Sequence, residues 1–268
     1  DKPNLKINKQ LPKKFERSIR NKMKILMLTW EYPPRIVGGI SRVVYDLAQK
    51  LGEKGNEVHV VTCMDKNTKE FEKDLNVYVH RVYTVGPDTK GDFLKQTLHM
   101  NFAMVEKAVE VMNEIGKFDI IHAHDWLVAY AAKTLKHAYK TPMVATIHAT
   151  EHGRNNGIHN DMQEYIHNSE WWLAYESWKV ICNSNYMQNE IMNIWNLPKE
   201  KTRIVFNGVD VNKFNGIFAF AIWEKGKYTL TFNANGGSVS PSSKTITYME
   251  QLGELPTPTR TGYEFVGW

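Results

Sequence analysis

Residues 24–29 (KILMLT) form a compact apolar run, the pattern of a strand buried on both faces. A Pro- and Gly-rich stretch follows at 31–39 (EYPPRIVGG). Then Val43, Val44, Leu47, Ala48 and Leu51 recur at helical spacing, with Gly55 as a stop. Residues 57–62 (EVHVVT) read as the next strand, so this opening is a βαβ unit. Alternation at 77–82 predicts a further strand. Leu94, Leu98, Phe102, Val105, Val109 and Met112 predict the buried face of a long helix ended by Gly116. Short strands at 119–122, 143–147, 179–182 and 203–206 alternate with helices predicted over 126–137, 162–178 and 186–195, and a polar loop spans 148–160. That alternation predicts an α/β domain with a Rossmann-like, doubly wound, mostly parallel sheet. Right-handed crossovers place the loops after its strands along one edge, where such sheets bind ligands.

The pattern changes after residue 215. Residues 228–233 (YTLTFN) and 244–248 (KTITY) alternate as half-buried strands, Asn235, Gly236 and Gly237 signal a turn, and no helical period appears. Four segments are therefore expected: a basic disordered extension at 1–22, the α/β domain at 23–215, a linker at 216–227 holding an apolar run at 217–223, and a small β-rich module at 228–268.

Charge sharpens this division. The net charge is +5, but residues 1–24 hold nine basic and two acidic residues, so they carry +7 and the remainder −2. A near-neutral body argues against nucleic acid as a partner, and the basic arm has one aromatic, Phe15, with no interleaved stacking residues. No apolar run approaches the roughly 18 residues of a membrane span, and the first 22 residues contain no apolar core of a secretory signal, so neither a membrane span nor a secretory signal is expected. Cys63 and Cys182 each end a predicted strand and read as buried thiols of a reducing compartment, not as a disulfide framework.

Unusual residues gather after strands: Gly38 and Gly39, then His124, Asp125 and Trp126, then the stretch from His148 to Arg154, then Asn183 and Asn207. His122 and His124 would share a face at i, i+2, yet no HExxH or Cys/His cluster with ligand spacing accompanies them, so neither a metal nor a cofactor is expected. No Gly-x-Ser-x-Gly marks a nucleophile. A dinucleotide dehydrogenase is disfavoured, because the first loop lacks Gly-x-Gly-x-x-Gly and only Asp65 follows the second strand.

Five strings, EYPPRIVGGISRVVYDLAQKL, FDIIHAHDWLVAYAAK, VATIHATEHGR, VICNSNYM and IVFNGVDVNKF, occur in an order that resembles the N-terminal domain of GT-B-fold retaining glycosyltransferases of the bacterial glycogen- and starch-synthase type. The resemblance implies hexosyl transfer from ADP-glucose or UDP-glucose to an α-glucan, in the cytoplasm. It implies that Gly38 and Gly39 approach the donor phosphates, with Arg35 near them, although Arg35-Ile-Val-Gly38 departs from the tighter Lys-x-Gly-Gly form. It implies that His148 lines the sugar pocket, as the residue nearest the chemistry, and that Asp125 and Trp126 form an acceptor-side pair. Glu151, Arg154, Asn183 and Asn207 border the cleft. The family pattern is left after NGVDVNKFN, where a second nucleotide-binding domain should begin, so this polypeptide is expected to show no transfer by itself. One alternative is a carbohydrate-binding half-domain without turnover. Residues 228–268, with YTLTFNANGGSV and PTPTRTGYEFVGW, resemble the internalin-type B-repeat (Listeria–Bacteroides repeat) of bacterial surface proteins, and a cell-surface repeat fragment is the other alternative.

Overall fold

The structure, a computed structural model, describes residues 22–84, 91–208, 227–247 and 252–268. The expected basic extension up to residue 21, and the expected linker up to residue 226 with its apolar run at 217–223, lie outside the described residues. The chain divides into two compact units, one ending at Asp210 and the other beginning at Val211.

The first unit holds strands β1 (Lys24–Leu28), β2 (Glu57–Cys63), β3 (Phe71–Asp74), β4 (Val77–Val82), β5 (Ile120–His124), β6 (Met143–Ile147), β7 (Lys179–Cys182) and β8 (Thr202–Ile204). Its helices are α1 (Ile40–Glu53), α2 (Phe93–Ile115), α3 (Ala129–Tyr139), α4 (Glu151–Asn155), α5 (Asp161–Glu176) and α6 (Asn185–Trp195). The strands form one eight-stranded sheet in the order β3-β4-β2-β1-β5-β6-β7-β8. Every pairing is parallel except that of β3 with β4. Central β1 shows why its sequence is apolar at every position: Ile25 and Met27 pack in the cluster that faces α1, while Leu26 and Leu28 join the larger cluster with α2 and α3. Fully burying such side chains stabilises the fold by roughly 1.5–3 kcal/mol each.

The chain builds outward from β1 through β2 and β4, then returns past β1 to lay down β5 to β8 on its other side. That reversal leaves a crevice outside the carboxyl ends of β1 and β5, where open α/β sheets take ligands. Leu28 is in register with Ala123, so the loops after β1 and β5 start side by side.

Three local features depart from the sequence expectation. β3 (FEKD) has no apolar alternation; its residues are exposed or half-buried, and its backbone pairing to β4 defines it. The buried face of α2 agrees only in part with the expected one: Met112 is buried and Leu94, Val105 and Val109 pack partly buried against the core, but Leu98 and Phe102 are exposed, and Thr97, Met100, Asn101, Met104, Ala108 and Val111 are buried. A polar residue turns the helix this way. Asn101 Nδ2 donates to the carbonyls of Thr97 and Leu127, and Asn101 Oδ1 accepts from the Ala131 amide, which ties α2 to the start of α3. Within the expected polar loop 148–160, α4 forms because the Thr150 hydroxyl caps it by accepting from the Gly153 amide.

The second unit contains β9 (Lys227–Thr231) and β10 (Ser243–Thr247), paired antiparallel. Asn235 at φ 48° and Gly236 at φ 85° make the turn that the sequence signalled. Phe232 is the one buried hydrophobic residue among this unit's described residues, and Trp268 packs on it at a centroid distance of 5.0 Å.

Candidate functional site

The loop after β1 is organised around Glu31, which is 1% exposed. Its carboxylate accepts from the amides of Val37 at 2.6 Å and Gly38 at 2.8 Å. These amides belong to the glycine loop expected to approach a phosphate, and here a side chain of the same loop takes them. Gly39 then caps α1 without a side-chain hydrogen bond. Arg35 lies over the Trp30 ring at 5.6 Å, and its carbonyl accepts from the Ser41 hydroxyl at 2.9 Å. The buried Nε of Arg35 and the Trp30 indole nitrogen have no partner among the described residues.

The loops after β5 and β6 meet in a second cluster. Asp125 follows β5 directly, with φ 66° and ψ 170° and an exposure of 2%. A non-glycine residue in that region stores roughly 1–3 kcal/mol of strain, a feature that concentrates at functional sites. Burial pushes the Asp125 carboxyl up to about 6, against the pull of Arg154 and of the Trp126 backbone amide. Its Oδ2 lies 3.7 Å from the Arg154 guanidinium, and its Oδ1 has no partner among the described residues.

Arg154 is shared among carboxylates, lying 3.4 Å from Glu151 and 3.7 Å from Glu170 as well. Glu170 comes from α5 and is fully buried. Both of its oxygens accept from the Glu151 amide, at 2.9 and 3.0 Å. Burial, helped by the neighbouring carboxylates Asp125 and Glu151, pushes Glu170 up to about 8, although the Glu151 amide and Arg154 pull it down. The turn beneath is held by Glu190 of α6, which accepts from the Thr150 hydroxyl. A Cβ at residue 153 would come within 2.7 and 2.9 Å of the Glu190 oxygens, so glycine there allows the close approach.

Three histidines back this cluster. His122 Nε2 lies 2.8 Å from the Thr146 hydroxyl, the His122 and His124 rings are 4.1 Å apart, and His124 Nδ1 lies 3.2 Å from His148 Nε2. Burial keeps all three neutral: His122 falls to about 3, His148 to about 4, and His124 well below its ordinary value. Among the described residues, no group of three or more His, Cys, Asp and Glu side chains is placed to hold a metal ion. No helix among them is long and apolar enough to cross a membrane.

The structure thus brings Asp125, Glu151, Arg154 and, through His124, His148 together. Trp126 departs from its expected place on an acceptor surface. It is 4% exposed and packs edge-on against Phe93 and Tyr165, because the turn at Asp125 leads into a helical turn whose side chains are all buried. Asn183 is half-buried just before Ser184, the cap of α6, and Asn207 is exposed after β8. Neither is joined to Asp125 or His148 by a direct hydrogen bond. Sequence reading passed over Glu31, Glu170 and Glu190, since an acidic residue on a loop or amphipathic helix ordinarily faces water.

Comparison with known proteins agrees with this geometry. The sequence profile of Glycosyltransferase Family 4 matches residues 37–213, and that of the Listeria-Bacteroides repeat domain matches residues 228–268. A Methanocaldococcus jannaschii protein named as an uncharacterized glycosyltransferase is 38% identical over 193 residues, covering 72% of this chain and 48% of its own length. The glycogen synthase of Mycobacterium tuberculosis is 34% identical over 207 residues, covering 72% of this chain and 50% of its own. The chain therefore spans about half the length of the curated relatives it matches. Sucrose-phosphate synthase from Thermosynechococcus elongatus superposes with a TM-score of 0.58 at 19% identity, covering 71% of this chain and 49% of that one, which supports the same fold. The first unit is one Rossmann-like half of a GT-B fold.

Proposed function

The chain belongs to Glycosyltransferase Family 4 through residues 37–213, and from that membership we propose that its first unit is the acceptor-side wall of a hexosyl-transfer cleft, serving ADP-glucose or UDP-glucose and an α-glucan. Asp125 is the observation that carries this reading. A strained, buried carboxyl with one unpartnered oxygen, at the switch point of the sheet, is costly unless a ligand completes it. A sugar hydroxyl donating to Oδ1 would do so, with His148 beside it against the donor sugar.

The charges nearby favour a neutral acceptor. One guanidinium, Arg154, is already shared by Asp125, Glu151 and Glu170, so a phosphorylated acceptor would meet more negative charge than positive. A glucan presents hydroxyls alone. In this reading Gly38, Gly39 and Arg35 approach the donor diphosphate once Glu31 yields the loop amides, and Asn183 and Asn207 border the opening. The free, buried Cys63 and Cys182 fit a cytoplasmic enzyme.

Stabilising a departing diphosphate is a large part of catalysis in such transfers, and the resemblance assigns those groups to the fold's other half. The polypeptide of these 268 residues is therefore proposed to bind glucan without turnover. Two assays test this together. Glycogen in a native gel should retard the protein, and Asp125→Ala should abolish the retardation. Incubation with ADP-glucose and glycogen should give no incorporation above background. Equal retardation of wild type and variant would overturn the site, and incorporation would overturn the lack of turnover.

A further inference from the structure

On the reading that the corner after β5 and β6 is a sugar site, the histidines behind it acquire a role of their own. We infer that His124 is a positioning residue that fixes which ring nitrogen of His148 carries the proton, so that His148 meets its ligand as a hydrogen-bond donor.

His124 ends β5 and is fully buried, while His148 directly follows β6. The two strands are paired, with His124 opposite Thr146, and this register brings the rings within 5.5 Å of each other at an interplanar angle of 25°. His124 Nδ1 and His148 Nε2 are 3.2 Å apart. Burial holds both rings neutral. A neutral imidazole has one N–H and one lone pair, so across this contact one ring donates and the other accepts.

Two arrangements exist, and the far side of His124 separates them. His124 Nε2 is buried and has no partner among the described residues. If His148 donated, the His124 proton would sit on that Nε2 as an orphaned buried N–H. If His124 Nδ1–H donates, Nε2 is a bare lone pair. Buried donors are left unpaired more rarely than buried acceptors. The second arrangement therefore holds, and it puts the His148 proton on Nδ1, which takes no partner among the described residues. The ligand atom that meets His148 then has to offer a lone pair, as a sugar hydroxyl or ring oxygen does, and a purely donating group such as an ammonium finds nothing to bind.

Long-range proton–nitrogen correlation spectra of the free, nitrogen-15-labelled protein at neutral pH read the tautomer directly, with the His148 signals assigned by their loss in His148→Gln. The expected wild-type result is the Nδ1–H form. His124→Asp, which puts an acceptor in the place of Nδ1, should convert His148 to the Nε2–H form, and His124→Asn should retain Nδ1–H, because the Asn amide nitrogen takes the place of Nδ1. An Nε2–H or evenly mixed wild-type ring overturns the inference, as does a folded His124→Asp protein that keeps Nδ1–H. If His124→Asp does not fold, the wild-type spectrum decides. Adding maltotriose separates the two ideas: an Nδ1–H ring whose proton and nitrogen shifts do not change at saturating sugar upholds the role of His124 and sinks the sugar-site reading.

Discussion

After β1 the Glu31 carboxylate takes the Val37 and Gly38 amides, as an incoming anion would, while Trp30 Nε1 and Arg35 Nε stay unpartnered among the described residues. After β5 and β6 no side chain of the loop fills the anion or ligand position in this way. Asp125 Oδ1 and His124 Nε2 are buried and unpartnered among the described residues, and the backbone at Asp125 is strained. Both loops flank one switch point, so the difference reflects residue choice more than position in the sheet. A loop that closes on itself is stable without ligand and binds only after rearranging. A corner held open and strained is already in the binding geometry, at a cost to stability. The account therefore places sugar recognition on the second loop pair in the free protein and leaves phosphate recognition latent.

The largest expected effect is acid instability of the histidine-backed corner. His122, His124 and His148 hold fewer protons folded than unfolded, so they stabilise the fold above pH about 6.5, and that contribution is lost as pH falls toward about 4. His59 and His80, lowered by burial between β2 and β4, act in the same direction. Each such ring removes roughly 1.4 kcal/mol per pH unit across the window. Glu170 and Asp125, raised to about 8 and about 6, act oppositely, since they hold more protons folded and lose stability as pH climbs through those values. Stability should peak near about pH 7 and collapse before about pH 4. Urea denaturation across pH checks this, and a curve flat from pH 7 to 4 would erase the electrostatic contrast.

Glu170→Ala should come next, at about 2–3 kcal/mol, because it strands the half-buried Glu151 amide and frees Arg154 from one partner. Chemical denaturation measures the loss. Asp125→Gly should do the reverse. Relief of the positive φ and removal of a buried carboxyl should stabilise the unit by about 1–2 kcal/mol while glycogen binding disappears. A variant both less stable and still binding would break the comparison at its stronger side. Glu31→Ala should have the smallest effect on stability, about 1 kcal/mol, since water can reach the exposed loop it holds. It should also raise affinity for pyrophosphate by calorimetry, making the first loop resemble the second.

Much of the fold was legible in the sequence because its strands are buried on both faces: KILML and EVHVVTC admit no other reading once glycine loops and helical periods separate them. What escaped lacked an apolar signature. β3 is defined by backbone pairing alone and α4 by a single capping threonine, while on α2 the place of Asn101 among the buried residues follows from its tertiary hydrogen bonds. The site shows the same division. Asp125 and His148 were visible because polar residues at strand ends stand out. Glu31 and Glu170 were not, because a carboxylate that tertiary structure encloses has the same letter as one in water. Trp126 could be read from residue type either as an acceptor-side platform or as a core residue, because its burial depends on the turn geometry at Asp125, which residue type does not reveal.

Amide chemical-shift mapping of the free protein with maltotriose and, separately, with pyrophosphate tests the central claim most directly. Saturable shifts at Asp125, His148, Glu151 and Arg154 with the sugar, and an unresponsive loop from Ile36 to Gly39 with pyrophosphate, are predicted. A sugar that leaves those four residues unmoved, or pyrophosphate that saturates the glycine loop while Glu31 is intact, would contradict the account.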